Sequence, residues 1–184
     1  MKPKKMLLAA LVGLVSAAGF TPAISQQTLS GDTKLACEAI ICLSTGQRPD
    51  QCTPPIQRYF SISFRRISDT LQGRTNFLNL CPKGGDAQMD ALIKGIVNGA
   101  GACDAATLNT TLSMWVEDNN SPVISSALPD YCVAYYTHPY TNLTNSLPRY
   151  AGDQWVEAVD YPAAMAAYAA RLAAAAAAAS GSSD

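Results

Sequence analysis

Six cysteines, Cys37, Cys42, Cys52, Cys81, Cys103 and Cys132, carry the most distinctive chemistry in this 184-residue chain. A thiol can be bridged, bind a metal or attack a substrate. Structural zinc sites use close pairs of Cys or His, whereas this chain has no CxxC, and its only histidine, His138, is followed by Pro139. No metal, and no other cofactor, is therefore expected. A nucleophilic thiol needs an unpaired cysteine with a base beside it, and an even count argues against a spare one. Carboxylates offer the other chemistry. Glu38 follows Cys37, and Glu117 and Asp118 follow Trp115; opening a glycan would need two such groups of different pKa across a cleft. Acidic side chains are mostly solvated, so no catalytic residue is assigned.

The elements that must position the cysteines narrow their pairing. A helix is expected from Thr33 to about Ser44, capped by Asp32. On it Cys37 and Cys42 would stand about 7.5 Å apart along the axis and roughly 140° apart around it. Bridged Cα atoms lie within about 7 Å, so each of the two must tie this helix to another part of the chain. Gly46 stops the helix and Pro49-Asp50 reverses the chain, which makes Cys52 the simplest partner of Cys42. Cys37 then reaches Cys81, and Cys103 and Cys132 close the second half.

Helical signals continue along the chain. Pro54-Pro55 suit a helix start, with Ile56, Tyr59, Phe60 and Ser63 at helical spacing. Ser68 and Asp69 offer a start for the next helix, which carries Leu71, Phe77, Leu78 and Cys81 and stops at Pro82; Gly73 weakens it. Arg65, Arg66 and Arg74 would flank it as solvated side chains or as a basic patch. Asp86 caps an amphipathic helix ending at Gly99, and Asp104 caps a further one through Trp115. From Pro129 to Tyr150 the chain is rich in tyrosine and proline without clear periodicity, and is expected to cover the core, anchored by Cys132. From Trp155 onward it reads as one helix whose apolar stripe is Met165, Tyr168 and Leu172, after which only alanine follows. The expected fold is all-α: a small disulfide-stabilised helical domain over 26–160, followed by an Ala-rich helical tail, 161–184, with a frayed end.

The first residues point to export. Lys2, Lys4 and Lys5 precede the uncharged run Met6 to Phe20, which is short of the roughly 20 residues that span a bilayer. Small residues follow, so 1–25 reads as a signal peptide cut after Ser25. Cleavage removes three of 13 basic residues, leaving 10 against 14 acidic and a net charge of −4. Such a balance does not suit a general nucleic-acid binder. The charge is uneven, however: 26–94 holds eight basic and six acidic groups, and 95–184 holds two basic and eight acidic.

The stretch CEAIICLSTGQRPDQCTPPIQRYFSI, followed by TLQGRTNFLNLCP, resembles the TrbM/KikA/MpfK family of conjugal transfer proteins. The likeness rests on Cys37, Glu38, Ala39, Cys42, Leu43, Ser44, Cys52, Pro54, Tyr59, Phe60, Phe77, Leu78, Cys81 and Pro82 and covers about residues 30–82. It implies a periplasmic accessory component of a conjugative type IV secretion, or mating-pair formation, system. The partners would be protein components of that apparatus, with no nucleic acid and no stable membrane insertion after signal cleavage. Two other readings are carried with it: a periplasmic cell-wall hydrolase assisting transfer, with Glu38 as its candidate carboxylate, and an envelope-targeted inhibitor or toxin-like effector.

Overall fold

The computed structural model describes residues 29–116 and 121–181. The signal peptide and its cut after Ser25 lie outside the described residues, as do Glu117 and Asp118. The described residues form seven α-helices and two small two-stranded antiparallel sheets, so the fold is largely α-helical and ends in an Ala-rich helix, as expected.

The first helix, α1 (Gly31–Leu43), begins two residues earlier than expected: Ser30 holds the cap position without a side-chain bond, and Asp32 instead accepts two hydrogen bonds from Arg58, at 3.1 and 2.7 Å. The prolines start α2 (Thr53–Ser61), where their missing N–H groups leave no gap in the helical bonds. Next come α3 (Ile67–Leu78) and α4 (Ala87–Gly99), and Asp86 caps α4 by accepting from the Gln88 N–H at 2.8 Å. Asp104 caps α5 (Ala105–Thr111) through the Thr107 N–H at 2.9 Å.

α4 lies at the centre, packed against α1, α3 and α6 (Asp130–Tyr136). Tyr59, Leu43, Leu78, Ile96 and Leu108 are fully buried around it, with Cys103 and Cys132. Burying each such aliphatic side chain contributes about 1.5–3 kcal/mol. Two glycines admit close neighbours. At Gly99 a Cβ would fall 2.5 Å from that of Tyr135, and at Gly95 it would lie 3.5 Å from the Tyr135 Cα, so α6 rests almost directly on the α4 backbone.

Four readings change. α5 stops at Thr111, and Ser113–Val116 (β1) pairs with Ser121–Ile124 (β2), Met114 facing Val123 and Trp115 facing Pro122. Aromatic and β-branched side chains favour this extended pairing, and Pro122 withholds the N–H a helix would need. Trp155 belongs not to the last helix but to β4 (Trp155–Val156), paired with β3 (Arg149–Tyr150), where it is buried. The tyrosine-rich segment contains a true helix, α6. Cys81 follows α3 in a turn instead of ending it. The last helix, α7 (Tyr161–Gly181), buries none of its residues. It is tied to the body at its base by Arg149 over the Tyr161 ring at 3.8 Å and near its middle by Arg171 on Asp153 at 2.5 Å.

Candidate functional site

The cysteines meet in three pairs. Cys37 and Cys81 have Cα atoms 4.9 Å apart, Cys42 and Cys52 5.6 Å, and Cys103 and Cys132 5.6 Å, all within bridging range and all joined as disulfides. The first pair ties α1 to the turn after α3, the second closes the turn after α1, and the third fastens the turn between α4 and α5 to α6. Every thiol is consumed. None is left to act as a nucleophile or a ligand.

The end of α1 is the polar centre of the molecule. A helix leaves its last carbonyls without intrahelical donors, and here side chains from distant positions supply them. The Ser44 hydroxyl donates to the Ile40 carbonyl at 2.7 Å, the Arg48 guanidinium to those of Cys42 at 2.5 Å and Thr45, and the Tyr135 hydroxyl to that of Leu43 at 2.5 Å. The Asn142 N–H donates to the Ser44 carbonyl at 2.8 Å. A cavity of about 370 Å³ opens beside this joint, lined by Arg48, Tyr135, Tyr136, Asn145, Ser146 and Glu157. Its carboxylate is committed too, since Glu157 accepts from the Ala105 N–H at 2.8 Å, at the start of α5. Burial pushes the Tyr135 phenol up to about 12, and the Tyr59 phenol of the core to about 12. Burial raises Tyr136 as well. All three stay protonated at neutral pH and act as donors, so this arrangement fastens backbone and offers no base.

The remaining candidates stand apart. Glu38 is on the exposed side of α1, 3.5 Å from Lys34 one turn earlier. His138 accepts from the Tyr140 N–H through Nδ1 at 3.1 Å, while its buried Nε2 has no partner. Among the described residues no three His, Cys, Asp or Glu side chains gather to hold a metal ion. The three arginines around α3 separate. Arg74 donates to the Ile62 carbonyl at 3.2 Å and lies over the rings of Tyr59 and Phe60, 4.9 and 5.1 Å from their centres, whereas Arg65 and Arg66 are exposed. Arg58 holds the Asp32 carboxyl below its ordinary range by hydrogen bonding to it.

Sequence reasoning missed Arg48 and Tyr135, which secure the end of α1, and Glu157, which secures the start of α5. Their partners are main-chain groups, in two of the three cases far off in sequence, and no local spacing marks such contacts.

Fold and site define the class: a small α-helical protein closed by three disulfides, a construction that fits an oxidising, exported compartment. The TrbM family model matches residues 28–169, and the chain belongs to the TrbM family. That family is associated with conjugal transfer, which gives the protein a conjugation-related role. The match takes in all six cysteines and extends well past the stretch on which the resemblance was read. Neither a curated protein nor a solved structure matches the chain.

Proposed function

We propose that the protein is an accessory component of the periplasmic part of a conjugative type IV secretion system, acting through contacts with other proteins during mating-pair formation. The observation that carries this reading is the family match over 28–169, which spans the whole disulfide framework. The chemistry of the site supports it. The polar groups around the α1 end are spent on the protein's own backbone, and Glu38 is paired with Lys34 on a partly exposed face of α1. The division at about residue 160 belongs to the same proposal: 26–160 as the stapled body and 161–184 as the Ala-rich tail, with 1–25 removed on export after Ser25.

Fractionation of donor cells carrying the intact transfer system tests the reading. The protein, with its three bridges formed, should be released from the periplasm, remain outside the lipid bilayer, and be recovered with envelope components of the apparatus. Recovery from the cytoplasm with reduced thiols would end it. Release of muropeptides by the purified protein, abolished by Glu38→Gln, would replace it with the hydrolase reading.

A further inference from the structure

A short loop between α2 and α3 exposes both charge and apolar surface. Ser63, Phe64, Arg65, Arg66 and Ile67 are all exposed, Phe64 by 56% and Ile67 by 72%. The loop's path is fixed. The Phe64 N–H donates to the hydroxyl of buried Thr70 at 2.8 Å, and Arg74 holds the Ile62 carbonyl. Gly73 of α3 lies directly beneath: a Cβ there would fall 2.7 Å from Phe64 Cε2 and 2.9 Å from Ile62 Cγ2. The Phe64 ring therefore rests on α3 over Gly73, with about half of its surface left open.

Two apolar hollows flank the loop on adjacent faces of α3. One, of about 480 Å³, has an apolar side of Ile62, Phe64, Phe77 and Leu80, the last 45% exposed, and a polar edge where the carboxylate of Asp32 is neutralised by Arg58 at 2.7 Å. The other, of about 300 Å³, is lined by Ile67, Leu71 and Tyr131. Arg65 and Arg66 stand between them in the chain. Neither forms an ion pair among the described residues, whose salt bridges use Lys34, Arg58, Lys83 and Arg171. The carboxylate of Asp32 is engaged by Arg58, and that of Asp69 accepts from the Ser68 hydroxyl at 3.3 Å. Two uncommitted guanidinium groups between apolar hollows are complementary to carboxylates set among apolar side chains, since opposite charge at a docking rim steers and orients the partner.

We propose that loop 63–67 and its two hollows are the docking site for an acidic, apolar segment of another protein of the transfer apparatus. This rests on the functional reading above and names the surface and the chemistry of the partner. A protein segment suits the site better than an anionic lipid surface. The hollows are concave, and a lipid surface would meet the carboxylates of Asp32 and Asp69 together with the arginines, whereas a folded segment can match each charge in place.

The test is photo-cross-linking in donor cells with the intact system, using a light-activated residue in place of Phe64 or Ile67. Ile41, 68% exposed on α1, is the reference position. The expected result is an adduct with a protein of the transfer system, formed from positions 64 and 67 and not from 41, and mapping to a stretch with Asp or Glu beside apolar residues. Arg65→Glu with Arg66→Glu should lower its yield at least about tenfold at unchanged protein level, because repulsion then replaces attraction at the rim. If that variant is poorly recovered, Arg65→Gln with Arg66→Gln takes its place, with a smaller loss expected. No adduct, an adduct with lipid, with a second copy or with a protein outside the system, or one indifferent to the arginines overturns the proposal. Gene deletion separates the claims. Transfer unchanged by deletion overturns the functional reading and the docking site with it. Transfer that needs the gene but tolerates the arginine reversal overturns the docking site alone.

Discussion

Tyr135 donates its hydroxyl to the Leu43 carbonyl and packs its ring base against Gly99, so a single residue secures the end of α1 and seats α6 on α4. Replacing the hydroxyl alone isolates the first role. Tyr135→Phe leaves a buried carbonyl without its donor, and the cost of about 1–3 kcal/mol should appear as a lower midpoint in urea with an unchanged slope. The same burial predicts a response to alkali. Tyr59 and Tyr135 are each pushed from 10.0 to about 12. Because the folded state raises these pKa values, the preference for neutral phenols contributes fully below about pH 10 and is lost as pH rises toward 12. Phenolate absorbance followed against pH should therefore show at least three tyrosines, Tyr59, Tyr135 and Tyr136, titrating late, together with the onset of unfolding. If all tyrosines ionised near pH 10 while the helical signal persisted, the burial described here would be wrong.

At the scale of elements, α4 owes its central place to glycines that let α6 approach. Gly99→Ala should raise local helix propensity yet lower stability, because the added methyl meets the Cβ and Cγ of Tyr135, which cannot swing aside. Overpacking of this kind costs about 1–3 kcal/mol, and a thermal melt with Tm at or above that of the parent would refute the close α4–α6 seating. Elements with local punctuation were legible in advance: Asp86 and Asp104 bond N–H groups two and three residues on, and both helix starts could be read from the chain. Elements fixed by distant partners were not. Trp155 pairs in β4 because the Asn109 side chain, 46 residues away, donates to its carbonyl and accepts from its N–H, at 2.8 and 2.7 Å. The hairpin of β1 and β2 was hidden for a related reason: each strand has four residues, too few for alternation to compete with a helical reading. That Cys37 and Cys42 do not bridge each other was legible because a helix fixes the distance and angle between two of its own residues. The caps at the α1 end were not, since Tyr135 lies 92 residues from the carbonyl it holds.

Across the whole molecule, three bridges and a helical core leave the chemistry on the outside. The body has exposed apolar and basic surface around loop 63–67, an exposed hairpin whose Trp115 is 74% accessible, and a terminal helix with none of its alanines buried. That helix is long and apolar enough to cross a membrane by length and composition, with a mean hydropathy of 1.2, yet Arg171 stands near its middle, paired with Asp153 of the body. A charge at the centre of a span is costly. Membership of the TrbM family links this molecule to conjugal transfer. The most direct measurement is the frequency of DNA transfer from donors lacking this gene, compared with the same donors carrying it back in trans. The account predicts that transfer falls without the gene and returns with an exported copy able to form its disulfides, but not with a copy confined to the cytoplasm. Transfer at the parental level without the gene would contradict it.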